Sequence, residues 1–185
     1  MNTKKIEPLI KELLILIGED PEREGLKDTP KRVAKMYDEI FAGYHTPVPN
    51  LKTFTSVNNS MLVKTGIKVY SHCEHHSASM LLTVSFAYIP DGKVVGISKI
   101  IRLIEWCAAR LVIQENLTEN VINEFEKQVS PKGCMCIITG IHLCESMRGI
   151  KKENKTTTSA ISGVFRKHTV RTEALALMRN SNGID

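Results

Sequence analysis

The chain has 185 residues, 42% of them hydrophobic and 24% charged, a composition that suits a folded domain and excludes global disorder. Twenty-five basic against 20 acidic residues leave a net charge of +5, which suits an anionic ligand; an aromatic content of 5% lacks the basic, aromatic-interleaved stripe of a nucleic-acid binder. The apolar run Leu13 to Ile17 is too short for a signal-peptide core or a membrane span, and five cysteines without framework spacing suit a reducing compartment, so the expected location is the cytoplasm.

Ile6, Leu9, Ile10, Leu13, Leu14 and Ile17 recur at three- and four-residue steps and predict an amphipathic helix over ~3–18, stopped by Gly18. Asp28-Thr29-Pro30 places a capping side chain before a proline and predicts a second helix over ~30–42, with Val33, Met36, Tyr37, Ile40 and Phe41 on its apolar face. Pro47 and Pro49 mark a loop, so an N-terminal helical segment, 1–50, is expected to precede a catalytic domain, 51–185. Strand patterns follow at ~61–72, ~80–90 and ~93–97, the last two joined by Pro90-Asp91-Gly92. Ser98 is positioned to cap a helix with Ile100, Ile101, Leu103, Ile104 and Cys107 inward, and Thr118 to cap another over ~119–129, ended by Pro131-Lys132-Gly133. Strands at ~134–143 and ~158–166 and a short helix at ~170–179 complete the pattern. Hairpin, two helices, hairpin predicts an α+β fold with an antiparallel sheet carrying helices on one face.

The most informative residues are Cys73-Glu74-His75-His76 and, about 70 positions later, His142-Leu143-Cys144. Cys73 and His76 have a C-x-x-H spacing, which lets one turn of chain offer thiolate and imidazole to one ion. His142 and Cys144, two apart at a strand end, are expected to project from one face. Cys, His and Cys with a fourth position open is a catalytic zinc arrangement, in which the bound water has a pKa of roughly 7. His75 and His142 then remain beside it as proton carriers. Two other readings stand at this point: a structural site that enlists Cys134 and Cys136, and no metal, with buried cysteines as small apolar residues. Packing is the expected role of Cys107, Cys134 and Cys136.

Several blocks carry a family resemblance. Glu19-Asp20-Pro21-Glu22-Arg23-Glu24-Gly25-Leu26 and Asp28-Thr29-Pro30-Lys31-Arg32-Val33-Ala34-Lys35-Met36 resemble the N-terminal signature of type I GTP cyclohydrolases. Cys73-Glu74-His75-His76 resembles their first zinc motif, and Gly96-Ile97-Ser98-Lys99 with Arg102 their phosphate-binding turn. Gln114-Glu115-Asn116-Leu117-Thr118 is similar to their guanine-reading segment, His142-Leu143-Cys144 with Met147-Arg148-Gly149 to their second zinc motif, and Thr157-Thr158-Ser159-Ala160 to a block near their end. The blocks span residues 19–166 in family order.

The resemblance implies the tunnelling fold, a four-stranded antiparallel sheet with two helices on one face, assembled as a ring-shaped homodecamer with active sites between subunits. It implies zinc held by Cys73, His76 and Cys144, catalytic roles for His75 and His142, and a contact from Ser98 to ribose or phosphate. GTP is the implied small-molecule partner, with neither nucleic acid nor membrane. Water activated at the zinc would attack C8 of the purine while His142 protonates the adjacent ring nitrogen; formate leaves, and rearrangement of the ribose gives 7,8-dihydroneopterin triphosphate. Gln114 and Glu115 would bind the base, the Glu115 carboxylate accepting from N1–H and the 2-amino group. Arg32, Lys35, Lys99, Arg102 and Arg148 would meet the triphosphate. The chain departs from the family at Ser77-Ala78-Ser79-Met80-Leu81-Leu82-Thr83, where bulkier residues, a glycine and often a lysine are usual, and in Lys151–Lys155, about one residue short. These departures bear on the exact product or efficiency, and two alternatives are weighed: a paralogue that stops at a ring-opened intermediate or takes a related purine, and a non-catalytic purine- or pterin-binding protein, against which the retained His75 and His142 argue.

Overall fold

The computed structural model describes residues 1–181; the last residues of the expected catalytic domain, 182–185, lie outside them. The chain is mixed α+β, as the periodicity predicts, and divides into two compact units, Met1–Pro47 and Val48–Asp185.

The first unit holds α1 (Thr3–Leu16) and α2 (Thr29–Ile40), followed by a 3₁₀ turn, Ala42–Tyr44. Asn2 caps α1 by accepting the Lys5 N–H, and Gly18, at φ +93, closes its end where a side chain would be strained. The expected cap on α2 is absent. Asp28 is already in the helical region and makes no side-chain cap, because the turns before it, Lys27 N–H to Arg23 and Thr29 N–H to Leu26, lead directly into the helix. Its carboxylate lies 3.8 Å from Arg32 instead.

The second unit is built on a sheet in the order β5-β2-β3-β6-β7: β2 (Leu62–Cys73), β3 (Ser79–Ile89), β6 (Gly133–His142) and β7 (Thr156–Ile161) are antiparallel, and β5 (Leu111–Val112) lies parallel to the end of β2. Alternation assigns the faces. Val84, Phe86, Tyr88, Cys134, Cys136 and Ile138 pack beneath α3 (Ile97–Ala108) and α4 (Gln114–Val129). α3 buries Ile100, Leu103, Ile104, Cys107 and Ala108, and α4 buries Leu117, Val121, Ile122, Phe125 and Val129, both at helical spacing. Phe86, Tyr88 and Phe125 meet with ring centroids 4.8–6.4 Å apart. Full burial of each such ring is worth ~1.5–3 kcal/mol. Ala87 and Met135 face the other way, against Ala174 and Met178 of α6 (His168–Ser181), so a third helix covers part of the second face.

The strand expected over ~158–166 stops at Ile161 and gives way to a 3₁₀ turn, Gly163–Arg166, and three further expectations fail for tertiary reasons. The strand β4 (Lys93–Val95) forms no hairpin with β3; it pairs with the unforeseen β1 (Thr53–Thr55) in a separate two-stranded sheet. Both edges of β3 are taken by β2 and β6 along its length, so β4 has no ladder to join. It is held nearby by the Val95 N–H, which donates to the buried Tyr88 hydroxyl. Ser98 does not cap α3, because Gly96 is the N-cap and Ser98 lies within the first turn. Thr118 does not cap α4, which starts at Gln114; the Thr118 hydroxyl donates to the Gln114 carbonyl from inside the helix.

Gly163 (φ +50) backs onto Gly133 at the start of β6. A Cβ at Gly163 would collide with the Lys132 carbonyl oxygen and lie 2.7 Å from the Gly133 Cα, both backbone atoms. Gly163→Ala is therefore expected to destabilise by ~1–3 kcal/mol, or roughly 2–4 °C of melting temperature per kcal/mol, read by thermal denaturation. An unchanged melting temperature would mean that the junction relaxes freely. No described helix is long and apolar enough to cross a membrane.

Candidate functional site

One end of the sheet gathers the chemistry. β2 ends at Cys73, β3 begins at Ser79, β6 ends at His142, and α4 begins at Gln114; His142 stands opposite Met80, and Cys73 beside Val112 of β5. Between β2 and β3 the chain folds back through 74–78, closed by the Ser77 N–H to Cys73 and the Cys73 N–H to Ala78, with Ser77 at φ +52. This turn brings the His76 Nδ1 to 3.8 Å from the Cys73 Sγ.

Cys144 is not on the strand, contrary to the two-residue alternation expected. The chain leaves β6 at His142 and enters a single helical turn, α5 (Leu143–Ser146), whose Ser146 hydroxyl donates to the His142 carbonyl. That turn, rather than pleat alternation, presents Cys144 to the other donors. The donor atoms of Cys73, His76 and Cys144 lie within 4.8 Å of one another. Tetrahedral coordination at Zn–S ≈ 2.3 Å and Zn–N ≈ 2.0–2.1 Å needs donor separations of about 3.5–3.8 Å, so the set fits a thiolate- and imidazole-binding ion with small adjustments. Burial pushes the Cys144 thiol above its ordinary value, and the neighbouring Cys73 adds to this. A cation seated between them would offset both effects.

Cys107, Cys134 and Cys136 belong to the core. Burial pushes the first two thiols to about 12 and Cys136 up as well, leaving them protonated packing groups. Among the described residues, the group of side chains placed to hold a metal includes neither Cys134 nor Cys136.

A cavity of about 280 Å³ opens at this centre, lined by Cys73, His75, His76, Gln114, Glu115, His142 and Cys144 together with Met80, Val112 and Ile113. The apolar residues give it walls for a flat ring, and Glu115, exposed at the N-terminus of α4, supplies a carboxylate at its rim. His75 is exposed beside Glu74, 3.9 Å away. Lys99 and the exposed Ser98 and Arg102 lie on α3, and the exposed Arg148 follows α5; none lines this cavity among the described residues. Arg32 and Lys35 are exposed on α2 of the first unit.

Gln114, expected to contact substrate, lines the cavity and is also anchored from within. It is 1% exposed, and its side chain is committed within the protein. The amide Nε2 faces the Ile138 carbonyl at 2.9 Å, the Thr156 carbonyl at 3.1 Å and the Thr158 hydroxyl at 3.1 Å, and Oε1 lies 2.8 Å from the His142 Nε2. Thr118 and Thr158 touch at 2.6 Å beneath it. Gly140, which underlies this network, is not singled out by the sequence motifs; an isolated glycine in a strand, a sign of close approach, is its local signal, while Thr118 lies within the quoted segment that begins at Gln114.

The sequence matches the GTP cyclohydrolase I family over residues 6–179. It is 43% identical over 183 residues to the GTP cyclohydrolase 1 of Carboxydothermus hydrogenoformans, covering 96% of this chain and 95% of that one. The GTP cyclohydrolase 1 of Desulforamulus reducens is 42% identical over 182 residues, with 96% and 97% covered. That of Mycolicibacterium vanbaalenii is 44% identical over 180 residues, with 94% and 89% covered.

Proposed function

The chain belongs to the GTP cyclohydrolase I family and is an enzyme of that type, and from this premise we propose that it is a zinc-dependent tunnelling-fold enzyme that opens the imidazole ring of GTP, releases formate and forms 7,8-dihydroneopterin triphosphate. The observation that carries the reading is the Cys73, His76 and Cys144 donor set in the lining of a cavity that also presents His75, His142 and Glu115. When bound there, zinc supplies Lewis-acid activation of water at neutral pH.

The chain's own residues do the remainder. The cavity of about 280 Å³ receives the purine in this reading, with ribose and triphosphate running out from its mouth. Glu115 holds the base by its Watson–Crick edge. His142 delivers a proton to N7 as C8 is attacked, which prevents charge from accumulating on the ring. His75, at the rim, serves the later proton transfers. Lys99 and Arg102 on α3, with Arg148, supply positive charge for the phosphates, Ser98 in the first turn of α3 meets ribose or phosphate, and assembly as a homodecamer is part of the same reading.

Metal-analysed protein incubated with GTP should yield formate and the fluorescent pterin in equal amounts. Formate without pterin would establish instead a paralogue that stops at the ring-opened stage.

Glu115 sets substrate choice. A carboxylate accepts from both N1–H and the 2-amino group of guanine, whereas adenine offers a lone pair at N1 and no amino group there. Glu115→Gln keeps one acceptor but turns an amino end towards a donor, so kcat/KM for GTP should fall by about 10- to 150-fold, the equivalent of the roughly 1.5–3 kcal/mol of a charged hydrogen bond. Turnover within twofold of the parent would mean that Glu115 is only a solvated residue.

A further inference from the structure

The network beneath His142 has one consistent direction of hydrogen bonds. The carbonyls of Ile138 and Thr156 can only accept, so the Gln114 Nε2 must face them and its Oε1 must face His142. The Thr118 hydroxyl donates to the Gln114 carbonyl, so Thr118 accepts from Thr158, and the two hydrogens of the Gln114 Nε2 are shared among the Ile138 carbonyl, the Thr156 carbonyl and the Thr158 oxygen. No member can reverse without leaving a buried carbonyl facing an oxygen. Since Oε1 is an acceptor, the His142 Nε2, 2.8 Å away, has to donate.

Gly140 makes room for this contact. It lies one pleat repeat before His142 on β6, opposite Leu82. A Cβ there would lie 2.6 Å from the Gln114 Oε1, 2.5 Å from the Leu82 Cδ2 and 3.5 Å from the His142 Nε2. The two closest atoms are the far ends of flexible side chains, so an alanine can be accommodated by moving the amide off the histidine. The contrast is Gly163, where the obstruction is backbone.

We propose that Gln114 and Gly140 are positioning residues that hold the His142 ring with hydrogen on Nε2, so that Nδ1 is the nitrogen that exchanges protons with substrate. This rests on His142 being the acid in the proposed reaction, and it names the atom and the residues behind it. Thr118 and Thr158 lock Gln114, and Gly140 gives the amide its berth. Holding one tautomer in one orientation removes the ring flips and wrong tautomers that would otherwise present Nε2 to the substrate.

The test uses full-length, metal-loaded protein labelled with 15N-histidine, with solid-state side-chain spectra recorded well above the usual imidazole pKa of about 6.5; His142→Ala identifies the His142 signals. The parent should show His142 as the Nε2–H tautomer, and Gln114→Met and Gly140→Ala should show it mixed. Both variants should keep their metal and a KM within about threefold, while kcat falls by about 10- to 100-fold, the scale of outer-shell partners. An Nδ1–H tautomer in the parent, kcat within twofold in both variants, or loss of metal in either would overturn the proposal. If His142→Ala is inactive while Gln114→Met and Gly140→Ala stay fully active, only the positioning role falls. If His142→Ala turns over normally, the acid role falls and takes this proposal with it.

Discussion

Cys144→Ala is expected to lose its metal almost completely and to fall to background turnover of GTP. Among the described residues the donor set has three members, all within 4.8 Å, and a catalytic centre on them would leave a fourth position for water. Removing one thiolate leaves a Cys–His pair with half the anionic charge and no closed triangle to hold the ion. The loss should therefore exceed the 10- to 100-fold that deletion of an outer-shell partner costs. Elemental analysis and kcat measured on the same preparation decide it. Cys136→Ala is the control, because Cys136 is fully buried on β6, its thiol pushed up by burial, and it should keep its metal. A Cys144→Ala protein with a full complement of metal would remove the proposed centre.

His142→Ala should separate catalyst from ligand. Its Nε2 is taken by Gln114 and its backbone terminates β6, so the side chain can be deleted without touching the three donors. Metal content and GTP binding should persist while kcat drops by about 10²-fold or more, the usual contribution of a positioned general acid. Because the proton is needed only as C8 is attacked, the loss should appear in kcat rather than KM. Disappearance of the metal would instead make His142 a fourth ligand and close the position that water requires.

The docking of these residues follows from how the unit is wired. β5 continues beside the end of β2, with Cys73 against Val112, and α4 starts two residues later, which sets Gln114 and Glu115 over the donor cluster. The Ser71 hydroxyl fixes the end of α3 to β2 through the Ala108 carbonyl at 2.8 Å. The loop after α5 is closed by the Lys151 N–H to the Glu145 carbonyl and by Asn154 to the Glu145 carboxylate. The chain's unusual 151–155 stretch is thus tied to the turn that carries Cys144, and the other unusual stretch, 77–83, contains the close of the turn that carries His76.

By itself the sequence determined the elements whose signal is local. The stripe Ile100, Leu103, Ile104, Cys107 is a buried helix face wherever it docks, and the alternation in β3 and β6 assigns their two faces. The motif spacing also named the candidate metal donors, because cysteine and histidine are chemically distinct whatever the fold around them. Tertiary structure decided what depends on partners far along the chain. β4 abandons its hairpin because β6, some 40 residues on, occupies the edge of β3. α4 starts at Gln114 rather than after Thr118 because that amide finds acceptors 24 and 42 residues away, a compensation that no local capping rule encodes. Cys144 reaches Cys73 and His76 by a helical turn because β6 ends at His142, and where a strand ends is set by its neighbours' length and not by its own alternation.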